Sequence, residues 1–305
     1  MRIYRELPKV ENSVITIGSF DGLHIGHQYL IAKLKQYANE LKQEEYVITF
    51  EPHPRLIVQP QSNFKLLTTL EEKKAKLEKL NVQNLIIISF SKELSQLSAE
   101  DFIIKYIIEP LHPKLVVLGY DHKFGKDRKG SQETFEIIRK NRQLDFDIIK
   151  VEEFKNQTEH ISSTTIRNYL LDRKIKQANA ILGNSYSITG KVIRGRQLGR
   201  TIGYPTANIE VDEVNKLIPP KGIYSTKIEI NHQIYKAATS IGLNPTISDD
   251  NFMSIEAYIL DFDRDIYGET VTLYFEDYIR DEKKFNGLEE LQQAIKEDVM
   301  FVNRS

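Results

Sequence analysis

The 305-residue chain contains no cysteine, which excludes disulfides, thiolate metal sites, iron–sulfur clusters and cysteine nucleophiles together. Any redox chemistry would belong to a ligand. It also lacks an excess of charge of either sign. The 42 Lys and Arg stand against 43 Asp and Glu, and a net charge of −1 offers no broad basic field to nucleic acid or an anionic membrane. No apolar run approaches the roughly 20 residues needed to span a bilayer, and the opening Met1–Pro8 stretch has no hydrophobic signal core. A cytoplasmic protein without nucleic-acid or membrane partners is therefore expected, while a homo-oligomer is left open. Low-complexity tracts and internal repeats are absent too, and 40% hydrophobic with 28% charged residues is an ordinary globular balance. The length allows two domains, each with its own core.

What is present begins at Val14–Ile17, an apolar run that stops at Gly18, turns, and delivers His24 and His27 to the start of a helix. Leu30, Leu34, Tyr37, Ala38 and Leu41 follow at spacings of three and four, the stripe of an amphipathic helix beginning near Gly26. A helix start offers unpaired N–H groups and the positive end of a dipole, so imidazoles there would face an anion, most naturally a phosphate. Open parallel sheets bind ligands beyond the carboxyl ends of their strands, which is where these histidines would lie.

Strand-like runs recur at Tyr46–Phe50, Leu85–Phe90, Leu115–Leu118 and Phe146–Val151, alternating with helical patterns. Glu51–Arg55, with two prolines, reads as a loop. Thr68 and Thr69, followed three residues on by Glu71 and Glu72, are alternative capping boxes for a helix reaching about Leu80. Another helix starts at Ser98, with Phe102, Ile103, Tyr106 and Ile107 inward and Pro110 and Pro113 at its end. Gly119–Gly130 is a basic, glycine-punctuated loop suited to a ligand, and a further helix begins near Ser131. The alternation argues for a mainly parallel, doubly wound sheet. Ile161–Arg167 then places hydroxyls and an arginine at a helix start, a second polyphosphate clamp in which Arg167 could neutralise phosphate charge.

Residues 172–185 read as a connecting helix stopped by Gly183. Beyond it the pattern changes class. Tyr186–Ile193, Ala207–Val211, Ile223–Ile230, Ile234–Ile241, Ile255–Leu260 and Thr270–Phe275 are short β-rich runs. Leu288, Leu291, Ile295 and Val299 give a closing helix its stripe, so a closed or nearly closed antiparallel barrel with a C-terminal helix is expected. Between the first two of these runs, arginines and glycines alternate through Arg194–Asn208. Glycine allows backbone amides close to phosphate and arginine supplies charge, but no Gly-Lys-Ser/Thr follows, so this is not a Walker loop.

Gly18–His27 together with Ile161–Arg167 resembles the nucleotidyltransferase superfamily, and Thr49–Pro54 narrows the resemblance to the bacterial FAD synthetases, bifunctional riboflavin kinase/FMN adenylyltransferases. The resemblance implies a Rossmann-like adenylyltransferase domain over 1–171, a linker over 172–185 and a β-barrel kinase over 186–305. Gly199–Asn208, Gly-Arg-x-x-Gly-x-Pro-Thr-Ala-Asn, is similar to the riboflavin kinase signature. For adenylyl transfer it implies ATP and phosphate contacts from Gly18, Phe20, Asp21, Gly22, His24, His27, Ser163, Thr164 and Arg167, with the two histidines catalytic. For the kinase it implies Gly195, Arg196, Gly199, Arg200, Gly203, Thr206 and Asn208 around ATP, the last two also holding Mg²⁺ as neutral oxygen donors. Glu256 matches the family's general base, and the strand period places it off the apolar face of Ile255, Ala257 and Ile259.

ATP, riboflavin and FMN are the implied substrates. Flavin contacts are expected from Phe50, Pro52, His53, Pro54, Asp121 and Phe124 for FMN, and from Arg280 and Phe285 for riboflavin. The chain departs from the family pattern at His122, where many members have an aromatic residue, at Thr165, where many have arginine, and at Tyr258, where histidine is frequent. One rival is a class I aminoacyl-tRNA synthetase fragment, which shares His-Ile-Gly-His; its lysine-rich partner motif is absent. A second rival is a flavin-binding sensor on a dead transferase fold, against which intact His24, His27, Asn208 and Glu256 speak.

Overall fold

The apolar runs of the first half form strands because β-branched residues dominate them and both sheet faces are covered, which removes the need for polar alternation. The computed structural model describes residues 1–120, 125, 130–154, 161–195, 199, 202–243 and 253–304. They divide into two compact units, Met1–Ile161 and Ser162–Ser305. Among the described residues no helix is long and apolar enough to cross a membrane.

In the first unit β1 (Arg2–Tyr4), β2 (Ser13–Ile17), β3 (Glu45–Glu51), β4 (Asn84–Ser89), β5 (Pro113–Leu118) and β6 (Asp147–Lys150) form one sheet. Its order is β1-β4-β3-β2-β5-β6 and every pairing is parallel. The helices are α1 (Ile25–Leu41), α2 (Pro54–Val58), α3 (Leu70–Lys79), α4 (Lys92–Gln96), α5 (Ala99–Ile103), α6 (Glu109–Leu111) and α7 (Gln132–Asn141). Leu30, Ile31 and Leu34 of α1 and Leu77 of α3 pack on Val14, Val47, Leu85 and Val117, one face of the sheet. Phe102 and Ile103 of α5 and Phe135 and Ile138 of α7 pack on Ile15, Ile17, Ile48 and Ile86, the other. Alternate strand residues thus serve two cores, as the doubly wound expectation requires. The order reverses at β2, which has β3 on one side and β5 on the other, so a crevice opens beyond their carboxyl ends.

Several details differ from the sequence reading. β1 is a three-residue edge strand, exposed at Arg2 and Ile3 and half-buried at Tyr4, too short to leave a pattern. Pro54, at the first turn of α2, starts a short helix inside the stretch read as a loop, because proline suits that position. Pro110 does not end the helix from Ser98. A π-helical stretch at Ile104–Ile108 leads into α6, and His112, with φ 35°, ends the winding. The wider π turn accommodates a proline that would collide with a regular α-helical turn.

The second unit opens with α8 (Ser163–Leu171) and α9 (Ile175–Leu182), which Gly183 stops in the left-handed region at φ 73°. Then β7 (Tyr186–Ile193), β8 (Thr206–Glu210), β9 (Gly222–Ile230), β10 (Gln233–Leu243), β11 (Met253–Ile259) and β12 (Thr270–Arg280) close into a barrel of order β10-β11-β8-β7-β12-β9. All its pairings are antiparallel. Ile188, Tyr224, Ile228, Ile241, Ala257, Leu273 and Phe275 are fully buried in this unit. The closing helix α10 (Leu288–Arg304) is held by more than its stripe. Leu288, expected on the apolar face, is exposed, while Asp298 is buried in a two-pronged ion pair with Arg280 at 2.8 and 2.6 Å. A bidentate pair costs less to bury than a lone charge, so a carboxylate can occupy that face.

Candidate active sites

In the first unit the site grows out of the turn after β2. Gly18 admits the Phe20 ring, which a Cβ would meet at 3.2 Å, and Phe20 itself is buried with φ 49°. Asp21 does not point outward. Its Oδ1 accepts from the Leu67 and Thr68 N–H groups at 3.0 Å each, and the Thr68 hydroxyl accepts from Gly22 N–H at 3.1 Å. The turn is thereby tied to the segment that leads into α3.

His24 caps α1, its Nδ1 accepting from His27 N–H at 3.3 Å, which leaves Nε2 as the N–H donor of a neutral ring. The two imidazoles stack with centroids 3.7 Å apart, and the edge of Phe20 closes on His27 at 5.3 Å. Burial, the neighbouring His24 and the charge of Lys73 hold the His27 imidazole well below its ordinary pKa. Its buried Nδ1 has no hydrogen-bond partner among the described residues. An imidazole held neutral in this way, stacked on a second one at a helix start, offers an N–H donor rather than a charge.

Sequence reasoning missed Lys73. It lies among charged neighbours, yet it shares the stripe Leu70–Lys73–Leu77, and that spacing was the available signal. The residue is 3% exposed, and its Nζ donates to Thr49 Oγ1 at 3.2 Å, while Thr49 donates to Ser19 O at 3.3 Å. Burial lowers the Lys73 pKa, opposed by Asp21 and Glu51.

Of the expected FMN contacts, Phe50 is buried edge-on to Phe90 at 5.5 Å, and His53 caps α2 while its ring lies 4.8 Å from Phe64. Pro52 and Pro54 frame that turn. Asp121 and Phe124, like Arg196 and Arg200 of the kinase loop and the variant His122, lie outside the described residues.

In the second unit Ser162 caps α8 through Thr165 N–H at 3.1 Å, and its hydroxyl pairs with that of Thr165 at 2.9 Å. Thr165 is therefore committed to the cap, while Ser163, Thr164 and Arg167 follow on the first turns.

The barrel brings the kinase candidates together. Asn208 stands opposite Glu256 in the β8–β11 register, and Thr206 Oγ1 donates to Glu256 Oε2 at 3.2 Å. A hydroxyl that donates to a carboxylate turns its lone pairs outward, the orientation a hard cation needs. Gly195 lies directly against Asn208, where a Cβ would fall 2.3 Å from Nδ2. At Gly199 a Cβ would fall 2.2 Å from the Tyr204 carbonyl, and the turn that follows has Gly203 at φ 83°. Beside it a groove of about 520 Å³ is lined by Ile202, Tyr204, Gln292 and Lys296. Tyr258 meets Tyr204 edge-on at 5.2 Å. Arg280 lies 5.9 Å from the Phe285 ring, and each of its three guanidinium nitrogens donates one hydrogen bond, two to Asp298 and one to the Asp281 carbonyl. Among the described residues no cluster of three or more His, Cys, Asp or Glu could hold a metal. Thr206 and Asn208 are neutral oxygen donors of the kind a hard cation takes.

Two family models match: FAD synthetase over residues 7–165 and riboflavin kinase over 182–305. A bifunctional riboflavin kinase/FMN adenylyltransferase of Listeria monocytogenes is 38% identical over 288 residues, covering 94% of this chain and 90% of that protein. One of the same description from Bacillus subtilis is 36% identical over 293 residues, with the same coverage of 94% and 90%. A crystal structure from Streptococcus pneumoniae, described as a macrolide-efflux protein, is 34% identical with a TM-score of 0.87 and covers 97% of this chain and 95% of its own.

Proposed function

The chain belongs to the bifunctional riboflavin kinase/FMN adenylyltransferase family, and from that premise we propose which of its residues carry each reaction. It phosphorylates riboflavin to FMN with ATP and adenylylates FMN to FAD with release of pyrophosphate.

In the kinase step a ribityl hydroxyl attacks the γ-phosphorus, the bond to ADP breaks, and the hydroxyl proton must leave. Glu256 takes that proton. Thr206 and Asn208 would hold Mg²⁺ and the ATP phosphates, and the Gly195–Gly203 turn, with Arg196 and Arg200, would surround the polyphosphate. Mg²⁺, when bound there, would neutralise phosphate charge. The observation that carries this assignment is the Thr206–Glu256 hydrogen bond with Asn208 in register, which groups base and cation donors on one barrel face.

In the adenylyl step an FMN phosphate oxygen attacks the α-phosphorus of ATP and pyrophosphate departs. With a second pKa of about 6 the nucleophile is already largely ionised, so no base is required. His24 and His27 donate to the charge that develops, and the glycine turn from Gly18 to Gly22, shaped by Phe20 and Asp21, fixes their place. Ser163, Thr164 and Arg167 are assigned to ATP in this step on their motif, and Phe50–Pro54 with Asp121 and Phe124 to the flavin. Arg280 and Phe285 are assigned to the riboflavin side of the barrel. The enzyme is placed in the cytoplasm, acting on small molecules without nucleic acid or membrane.

Incubation with riboflavin, ATP and Mg²⁺, followed by separation of the flavins, should give FMN and then FAD. A product mixture that never contains FAD, or FAD formed only when both sites are intact even from supplied FMN, would overturn the division of residues.

A further inference from the structure

Lys73 is a buried charge of the first unit with one hydrogen bond to show for its burial. An ammonium carries three N–H donors, and among the described residues the Lys73 group uses only one, toward the neutral Thr49 hydroxyl at 3.2 Å. Among the described residues no carboxylate comes within ion-pair distance of it, although the charges of Asp21 and Glu51 act on it from further away. Taking such a charge out of water costs several kcal/mol by order of magnitude, and a neutral hydroxyl does not offset that. The fold nevertheless places it deliberately. Asp21 fixes the Leu67–Thr68 backbone, the Thr69–Glu72 capping box fixes the start of α3, and Lys73 is the next residue, reaching the carboxyl ends of β2 and β3. Its charge also reaches His27.

We propose that Lys73 is a further binding and catalytic residue of the adenylyl-transfer site, whose free N–H donors take a phosphate oxygen of the substrates. The inference rests on the assignment of that step to His24 and His27. The phosphate is either that of the departing pyrophosphate or that of FMN, since both carry the same acceptor oxygens. A purely structural lysine would instead be paired with Asp21 or Glu51, and its removal would strand a carboxylate.

The test uses the full chain with Lys73→Met and Lys73→Arg. Three readouts are needed: adenylylation of FMN, phosphorylation of riboflavin, and direct calorimetric titration of Mg-pyrophosphate. Lys73→Met should lower the adenylylation kcat/KM about 100-fold, the loss typical of one preorganised donor, leave riboflavin phosphorylation unchanged and melt no lower than the parent. Lys73→Arg, which keeps the charge, should recover part of the loss. A KM rise for ATP with pyrophosphate binding weakened at least tenfold assigns the contact to the leaving group. A rise confined to FMN assigns it to the nucleophile. Adenylylation within twofold of the parent, or a loss accompanied by a lower melting temperature with both KM values unchanged, overturns the proposal. If the parent chain makes no FAD but Lys73→Met still loses pyrophosphate, the anion site stands and the assignment beneath it fails.

Discussion

The two units solve phosphoryl chemistry with opposite materials. The first places imidazoles, a helix start and a buried ammonium at the ends of parallel strands, and in the proposed reaction none of these is asked to act as a base. The second places a carboxylate, a hydroxyl and an amide on the face of antiparallel strands, with Glu256, Thr206 and Asn208 joined by register and a hydrogen bond. The nucleophile accounts for the difference. A phosphate arrives ionised and needs only positioning and charge stabilisation, whereas an alcohol must lose a proton and needs an acceptor. Parallel strand ends converge loops and helix starts on a crevice, and a barrel face aligns side chains two residues apart.

This contrast can be broken at several points. The largest effect should come from Glu256→Gln, which removes the proton acceptor and should lower riboflavin phosphorylation by about 10²- to 10⁴-fold. Adenylylation of supplied FMN should continue, and equal loss of both steps would refute separate sites. Next, His27→Ala should cost adenylylation about 10²- to 10³-fold, the range for one preorganised donor. Here product analysis should show FMN accumulating from riboflavin.

Gly195→Ala should act more weakly and only in the barrel. Its Cβ would fall within 2.3 to 2.6 Å of the Asn208 amide atoms, so Asn208 must move. A rise of roughly tenfold in the kinase KM for ATP is expected, as a misplaced positioning group costs up to about 10²-fold. An unchanged KM would mean that Asn208 is not a nucleotide ligand.

The smallest effect is on stability. The folded pKa of His27 lies below the 6.5 of the free side chain, so on acidification the unfolded chain takes up the proton first. Stability should therefore fall as pH drops through about 6.5 toward the folded value, and His27→Gln should flatten that slope. Denaturant melts at pH values of about 7.5, 6.5 and 5.5 measure it; parallel curves for parent and variant would discard the neutral-imidazole account.

Much of this was legible before any coordinates. The long β-branched runs, the Thr69–Glu72 capping box and the stop at Gly183 rest on local chemistry, and each element stands where that chemistry put it. The alternation of Glu256 with Ile255 and Ala257 was enough to place it off the apolar face. What escaped depends on partners distant in the chain. Lys73 is one of several lysines in a charged helix, and only packing against Thr49 sets it apart. Asp298 is buried because Arg280 meets it from β12, which no helical period announces. Asp21 reads as a ligand contact in the motif, yet its oxygens hold the Leu67–Thr68 main chain. That partner lies 46 residues away.

The closure of the barrel also sets a timetable. β12 is hydrogen-bonded to both β7 and β9, so the ring stays open until Thr270–Arg280 has left the ribosome. The six strands of the parallel sheet are all in hand by Lys150. At about 5–20 residues per second, β7 waits several seconds with one flank unclaimed while its companion is still being translated. A chain interrupted between β7 and Thr270 would carry, besides the two borders that the parallel sheet always has, the unpaired flank of β7, a further template for self-association.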